Sequence, residues 1–199
     1  MKLSIIKIII ALFVSGVICI NAYSQQKIVY NCEQYIRNWK IPEWSIMKDD
    51  HISPILALDK NFTEQGDLSI KLTVSFSGES WSAGIVETEG LFDLTLYKAF
   101  SCEIYLSKPA PKGIEARIII VTDKFKWIEM SDPVALSPGR RTTVSANLKH
   151  GNHSWRSEEG CVRITDHLKA TIRKIAIRIE SNIVKHEGPV YIDKITFVK

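Results

Sequence analysis

The chain has 199 residues, 45% of them hydrophobic, with 26 Lys and Arg against 22 Asp and Glu and a formal net charge of +4. That length suits one domain with a sizeable core, and the interspersed, nearly balanced charge excludes the basic blocks that grip nucleic acid or an anionic membrane. Five tryptophans in so short a chain are the compositional feature that bears most on function.

The first residues read as an export leader. Lys2 and Lys7 give a positive start, Ile8 to Ile20 is apolar apart from Ser15 and Gly16, and Ala22-Tyr23-Ser24 places small residues before a cut at Gln25. The apolar run is shorter than the about 20 residues that cross a bilayer comfortably. Cleavage removes two lysines and no acid, leaving +2. The expected organisation is a signal peptide over 1–24 and one domain over 25–199, secreted or periplasmic, with no membrane span in the mature chain.

Lys27 to Tyr35 is the first expected strand. Arg37 to Trp44 holds Trp39, Trp44 and a proline and reads as an irregular loop, and no period persists from Asp49 to Phe62. Then Leu68, Ile70, Leu72, Val74 and Phe76 alternate with Ser69, Lys71, Thr73 and Ser75, the pattern of a long half-buried strand. Ser77-Gly78-Glu79-Ser80 turns it, and Trp81 to Val86 is expected to return as its partner. Phe100 to Leu106, Ile114 to Thr122, Phe125 to Met130 and Arg141 to Leu148 are further strands, separated by Pro, Gly and Asp-Lys turns. Asp166 to Lys174 has room for one turn of helix. At the end, Ile175, Ile177 and Ile179 alternate with Ala176, Arg178 and Glu180, and Val190 and Ile192 repeat the pattern; Gly188-Pro189 is read as the turn between them. The predicted fold is all-β, a jelly-roll β-sandwich of two antiparallel sheets.

Motifs for covalent catalysis, phosphate binding and dinucleotide binding are missing: there is no G-x-S-x-G, P-loop, H-E-x-x-H or Gly-rich turn. His150 and His153 are near enough to share a metal, but no carboxylate at standard spacing completes a site, and the histidines read as loop residues. Cys32, Cys102 and Cys161 remain after cleavage, so at most one bridge forms; Cys102 lies in a strand pattern and its partner is open. Paired carboxylates run glycoside hydrolysis at separations of about 5 or 9 Å, and Glu79, Glu87, Glu89, Glu129, Glu158 and Glu159 are available for it.

Trp39, Trp44, Trp81, Trp127 and Trp155 admit two readings. They fill the core, or they offer flat apolar platforms on which sugar rings stack while nearby polar groups bind the hydroxyls. Trp81 beside Ser80 and Ser82, and Trp127 between Lys126 and Glu129, favour a ligand face; Trp155, within Asn152-His-Ser-Trp-Arg-Ser157, reads as a loop residue at a cleft rim. Asp193 and Glu33, with carbonyls near Gly66, could supply oxygens to a calcium ion; an edge aspartate capping a loop explains Asp193 equally.

The order of these segments resembles a known family. Glu33 near the first strand, Gly66-Asp-Leu-Ser-Ile-Lys-Leu72, Trp81-Ser-Ala-Gly-Ile-Val86, Phe100 to Gly113, Leu136-Ser-Pro-Gly-Arg-Arg-Thr-Thr-Val144, Ile172 to Ile179 and Gly188-Pro-Val-Tyr-Ile-Asp-Lys-Ile195 follow one another. They look like the galactose-binding-domain-like carbohydrate-binding modules, nearest to the mannan-binding modules of bacterial β-mannanases. The resemblance implies non-catalytic binding of a β-linked polysaccharide along a tryptophan-lined cleft, and a structural calcium held by Asp193 and Glu33. Where such modules read Pro-Gly-Glu-Trp-Thr, this chain has Pro138-Gly-Arg-Arg-Thr142. The alternatives are a small jelly-roll lyase or glycoside hydrolase, or a surface adhesion domain.

Overall fold

The computed structural model of the chain describes residues 27–29, 38–53, 55–63 and 66–199; the leader, Cys32 and Glu33 lie outside the described residues. In chain order the elements are β1 (Lys27–Val29), α1 (Glu43–Ile46), β2 (Ile55–Asp59), β3 (Ser69–Phe76), β4 (Ser82–Phe92), β5 (Ala99–Leu106), β6 (Ile114–Thr122) and β7 (Trp127–Met130). There follow β8 (Val134–Ala135), β9 (Arg141–Asn147), β10 (Trp155–Ser157), β11 (Gly160–Val162), α2 (Asp166–Lys169), β12 (Ile172–Ser181) and β13 (His186–Val198).

The strands form two antiparallel sheets packed face to face, a β-sandwich of the jelly-roll kind. One runs β2-β3-β13-β5-β9, with β1 also paired to β13; the other runs β11-β10-β7-β6-β12-β4, with β8 paired to β6. Alternation explains the packing. Ile70, Leu72, Val74 and Phe76 of β3 are at most 2% exposed, and they meet Ile118 and Ile120 of β6 and Ile175, Ile177 and Ile179 of β12 in one core. Burying each such side chain contributes roughly 1.5–3 kcal/mol. At Gly84 of β4 the sheets come so close that a Cβ would stand 2.7 Å from Val74 Cγ1, so no larger residue fits.

Two pairings differ from expectation. The strand after the Ser77–Ser80 turn does not return beside β3: β3 pairs with β2 and β13, and β4 pairs with β12 in the opposite sheet. The closing strands β12 and β13 also lie in different sheets, so each isoleucine face covers the other. Gly188-Pro189 is not the turn between them; the chain turns at 182–185 and Pro189 sits inside β13, opposite Thr73. Pro189 is tolerated because β5 covers β13 only from Val190 onward, leaving the strand an edge on that side. β2 was invisible to the period because, as an edge strand, only Leu56 and Asp59 of its five residues are half-buried.

Residues 38–53 cover the free edge of β4. Lys40 and Glu87 exchange backbone hydrogen bonds of 2.9 and 2.8 Å, and Ala83 receives one from Ile52 and donates one to Asp50, both 2.8 Å. The strap thereby drops Trp39 into the core and sends Trp44 over the outside of the second sheet. Among the described residues no helix is long and apolar enough to cross a membrane.

Candidate functional site: the outer face of the second sheet

On β4, β12, β6, β7 and β10 the residues that alternate with the core residues point outward. Registry aligns them in rows: Glu87, Ala176, Ile119, Glu129 and Arg156 in one, Glu89, Lys174, Val121 and Trp127 in the next, and Ile85, Arg178 and Arg117 on the other side. The face therefore has an apolar middle, Ile85, Ile119, Val121 and Ala176, between two charged clusters.

In the first cluster two glutamates bridge three arginines. Glu180 receives Arg117 Nε at 2.6 Å and Arg178 Nε at 2.8 Å; Glu129 receives Arg178 Nη2 at 2.9 Å and Arg156 Nη2 at 2.6 Å. Arg117 Nη1 also donates to the carbonyls of Met130 and Ser131, each at 2.6 Å, so hydrogen bonds offset the burial of this cation. Burial pushes the Glu129 carboxyl up, but Arg178, Arg156 and the Trp127 indole N–H outweigh it and hold the group below its ordinary value. In the second cluster Lys174 Nζ lies 2.9 Å from Glu87 and 2.7 Å from Glu89, and Lys40 reaches Glu89 at 3.0 Å. Burial raises the Glu87 pKa, whereas hydrogen bonds from Lys174 and Lys40 hold exposed Glu89 at about 2.

Aromatic rings cover the apolar middle. Trp44, carried by α1, packs on it and meets His51 edge to face, with centroids 5.0 Å apart; His51 meets Trp81 at 5.5 Å. Arg178 lies over the Trp81 ring, 5.5 Å from its centroid. Trp127 also meets Trp44 and fronts two recesses. One, of about 420 Å³, is lined by Phe125, Trp127, Lys126, Ser157, Glu158 and Glu159; the other, of about 340 Å³, by Trp127, Glu129, Arg156, Ser157 and Glu158. Lys126 and Glu159 pair across the first.

Alternation places Phe125 at the start of a strand. It instead occupies the tip of the β6–β7 turn with φ 59°, 80% exposed. Holding a non-glycine residue there costs on the order of 1 kcal/mol, and a phenyl ring in water gains nothing back from the fold. The sequence signal was present, since Phe125 stands two residues before Trp127; the Asp123-Lys124 turn obscured it.

Of the five tryptophans named from sequence, Trp44, Trp81 and Trp127 come together on this face and are half-buried. Trp39 and Trp155 do not join them. Trp39 is 7% exposed and belongs to the core. Trp155 is no rim residue: it opens β10 fully buried, and its indole N–H donates to the Asn147 carbonyl at 2.7 Å. Asp193 is 3% exposed on β13 beside a break in the pairing to β5, while Glu33 lies outside the described residues. Among the described residues no three His, Cys, Asp or Glu side chains are grouped as a metal site. His150 pairs with Asp166 at 3.2 Å and His153 lies against the thiol of Cys161, so the two histidines face different partners; Cys102 is buried in the core.

No family model matches the sequence, and no curated protein matches it. Solved structures share the fold. The chain superimposes on the CBM27-1 module of Caldicellulosiruptor saccharolyticus, solved in complex with mannohexaose, with a TM-score of 0.59 at 15% identity, covering 85% of this chain and 95% of the module. It matches TmCBM27, a carbohydrate-binding module studied for specific mannan recognition, with a TM-score of 0.51 at 14% identity over 87% of this chain and 95% of that one. The family 11 carbohydrate-binding module of the cellulosomal cellulase Lic26A-Cel5E of Clostridium thermocellum gives 0.54 at 11% identity, over 86% and 94%. At such identities the likeness establishes a shared sandwich and nothing about a ligand.

Proposed function

We propose that the protein is exported by its 1–24 leader and that the domain over 25–199 binds a β-linked polysaccharide, a mannan or glucan, without cleaving it. The observation that carries this reading is Trp127. It is a half-exposed indole anchored on one side by Trp44 and open on the other to a recess that also holds Phe125, with Lys126, Ser157, Glu158 and Glu159 at hydroxyl-bonding positions. An apolar shelf ringed by donors and acceptors of both signs is the arrangement a neutral sugar needs. The modules with this fold include ones solved with mannohexaose or studied for mannan recognition, which supports the ligand class.

The carboxylates of the face favour binding over hydrolysis. Glu87, Glu89, Glu129 and Glu180 are each held by Lys or Arg, an arrangement that fits structural support better than a general acid and a free nucleophile. Electrophoresis through gels containing mannan, glucan or xylan tests the reading. Retardation on at least one, lost in Trp127→Ala, is expected; free migration on all of them overturns it. Reducing sugar or unsaturated product released from the same glycans would favour the enzyme.

We further propose a structural calcium ion at Asp193. Its buried carboxylate lies at a bulge, next to Lys194 with φ 48°, where backbone carbonyls leave the ladder; this is the oxygen chemistry calcium takes, and Glu33 and carbonyls near Gly66 would complete it.

A further inference from the structure

A second concave region lies where β5 begins and β9 and β13 end. Two adjoining hollows of about 360 and 470 Å³ share Lys98 and Lys149 as a common wall. Lys199 completes the first, and His150 and Lys169 the second; no Asp or Glu lines either one.

These cations are not equivalent. Lys169 is committed to structure: its side chain is 5% exposed, and its ammonium donates to the carbonyls of Thr95 and Tyr97 at 2.8 and 3.3 Å and pairs with Asp166. It thereby fixes the segment that leads into Lys98. The backbone of Lys98 is bound on both sides, donating to Val198 at 2.7 Å and accepting from Leu148 at 2.8 Å, and the Lys149 N–H is held by Asn147 Oδ1 at 3.0 Å. Yet the ammonium groups of Lys98 and Lys149 make no hydrogen bond or ion pair among the described residues, unlike Lys40, Lys71, Lys126 and Lys174, which all face carboxylates. Lys199 lies over the Tyr97 ring at 5.8 Å. Two exposed, unpaired cations are therefore displayed from rigid backbone into adjoining hollows, beside an aromatic ring and the neutral groups of Ser145 and Asn147.

We propose that these hollows bind an acidic polysaccharide, with a carboxylate or sulfate group of successive units against Lys98 and Lys149. Two hollows with a shared wall suit a linear polymer, and Ser145 and Asn147 offer polar partners for the hydroxyls of a sugar. Two unpaired lysines set among neutral groups, with no basic run along the chain, match the spaced charges of a sugar polymer better than the dense phosphates of nucleic acid or a lipid surface. This site is independent of the Trp127 recess.

The purified protein is run through gels containing polygalacturonate, which supplies carboxylates, or dextran sulfate, which supplies sulfates, with duplex DNA and phosphatidylserine vesicles measured alongside. Retardation by at least one acidic polysaccharide is expected. It should fall about five- to tenfold in the Lys98→Gln/Lys149→Gln double variant, survive in Lys98→Arg/Lys149→Arg, and weaken as salt shortens the screening length. Trp127→Ala should leave it unchanged, whereas retention on neutral glycans should be lost only in that variant. The proposal is overturned if neither acidic polymer retards the protein, if the Gln double variant is retarded equally, if Trp127→Ala abolishes the effect, or if DNA or vesicles bind more tightly than both polysaccharides.

Discussion

The indole of Trp127 meets the indole of Trp44 edge to face, with centroids 5.7 Å apart and planes at 82°. One ring belongs to a strand of the sheet, the other to a strap laid across it, and Trp127 also fronts a recess. The two rings thus divide the labour of support and presentation. Trp127→Ala is expected to abolish retention on neutral glycans while lowering stability by about 1–2 kcal/mol. Trp44→Ala uncovers Ile85, Ile119, Val121 and Ala176 and should cost more, about 2–4 kcal/mol. Urea denaturation of both variants beside affinity electrophoresis separates the effects; equal destabilisation with retained binding would contradict this division.

Phe125 gives a sharper test, because its backbone favours glycine and its ring is open to water. Phe125→Gly should leave stability unchanged or raise it by up to about 1 kcal/mol, while glycan retention falls. A variant that binds as well as the parent would show the ring to be idle.

Trp155 should behave in the opposite way. Trp155→Phe removes the indole donor to the Asn147 carbonyl and is expected to cost about 0.5–1.5 kcal/mol; Trp155→Ala, which also opens a cavity, about 3–5 kcal/mol. Affinity measured on the folded fraction should not change in either case.

Two side chains each make the fold lose stability on acidification, in different pH windows. Glu129 has a folded pKa below its unfolded value, so it contributes stability above pH about 4.5 that is lost as pH falls through the folded pKa. Glu129→Gln should therefore flatten the acid limb of a stability–pH curve below about 4.5. His186 is buried, its Nε2 has no hydrogen-bond partner among the described residues, and burial lowers its pKa. The unfolded chain then takes up a proton near pH 6.5 that the folded chain refuses, so stability falls as pH drops below that value and His186→Phe should remove that part of the slope. Denaturation midpoints between pH 3 and 8 would resolve the two; parallel curves for parent and variants would refute both.

For the proposed calcium ion, a chelator should lower the melting temperature of the parent, and added calcium should restore it. Asp193→Asn should abolish the calcium response; a parent insensitive to both treatments would remove the ion from the account.

Much of the fold was legible because strands with one buried face announce themselves by alternation. β3, β6 and β12 were read nearly to the residue, and their inward sets, such as Ile175, Ile177 and Ile179, are the observed core. Pairing was not legible. A local turn after Phe76 suggests a hairpin, but nothing local says that β4 belongs beside β12, since that choice is made by faces that meet across the sandwich. The tryptophans divided for a similar reason. Trp127 alternates with Ile128 and could be assigned outward, whereas Trp155 follows a polar loop and is buried only because β10 folds over the chain near Asn147. Trp44 was found but its role was not, because the strap's course along β4 is fixed by backbone hydrogen bonds that carry no side-chain signature.

β12 pairs on both sides, with β4 and β6, and β13 likewise with β3 and β5, although both are the last strands in sequence. Neither layer has its interior member until the final thirty or so residues are available, so partial chains cannot settle early into half-built sandwiches. Such late, non-local closure makes for slow, all-or-none acquisition of structure, on the order of milliseconds to seconds. The export proposed above, which would thread the chain unfolded, would benefit from that delay.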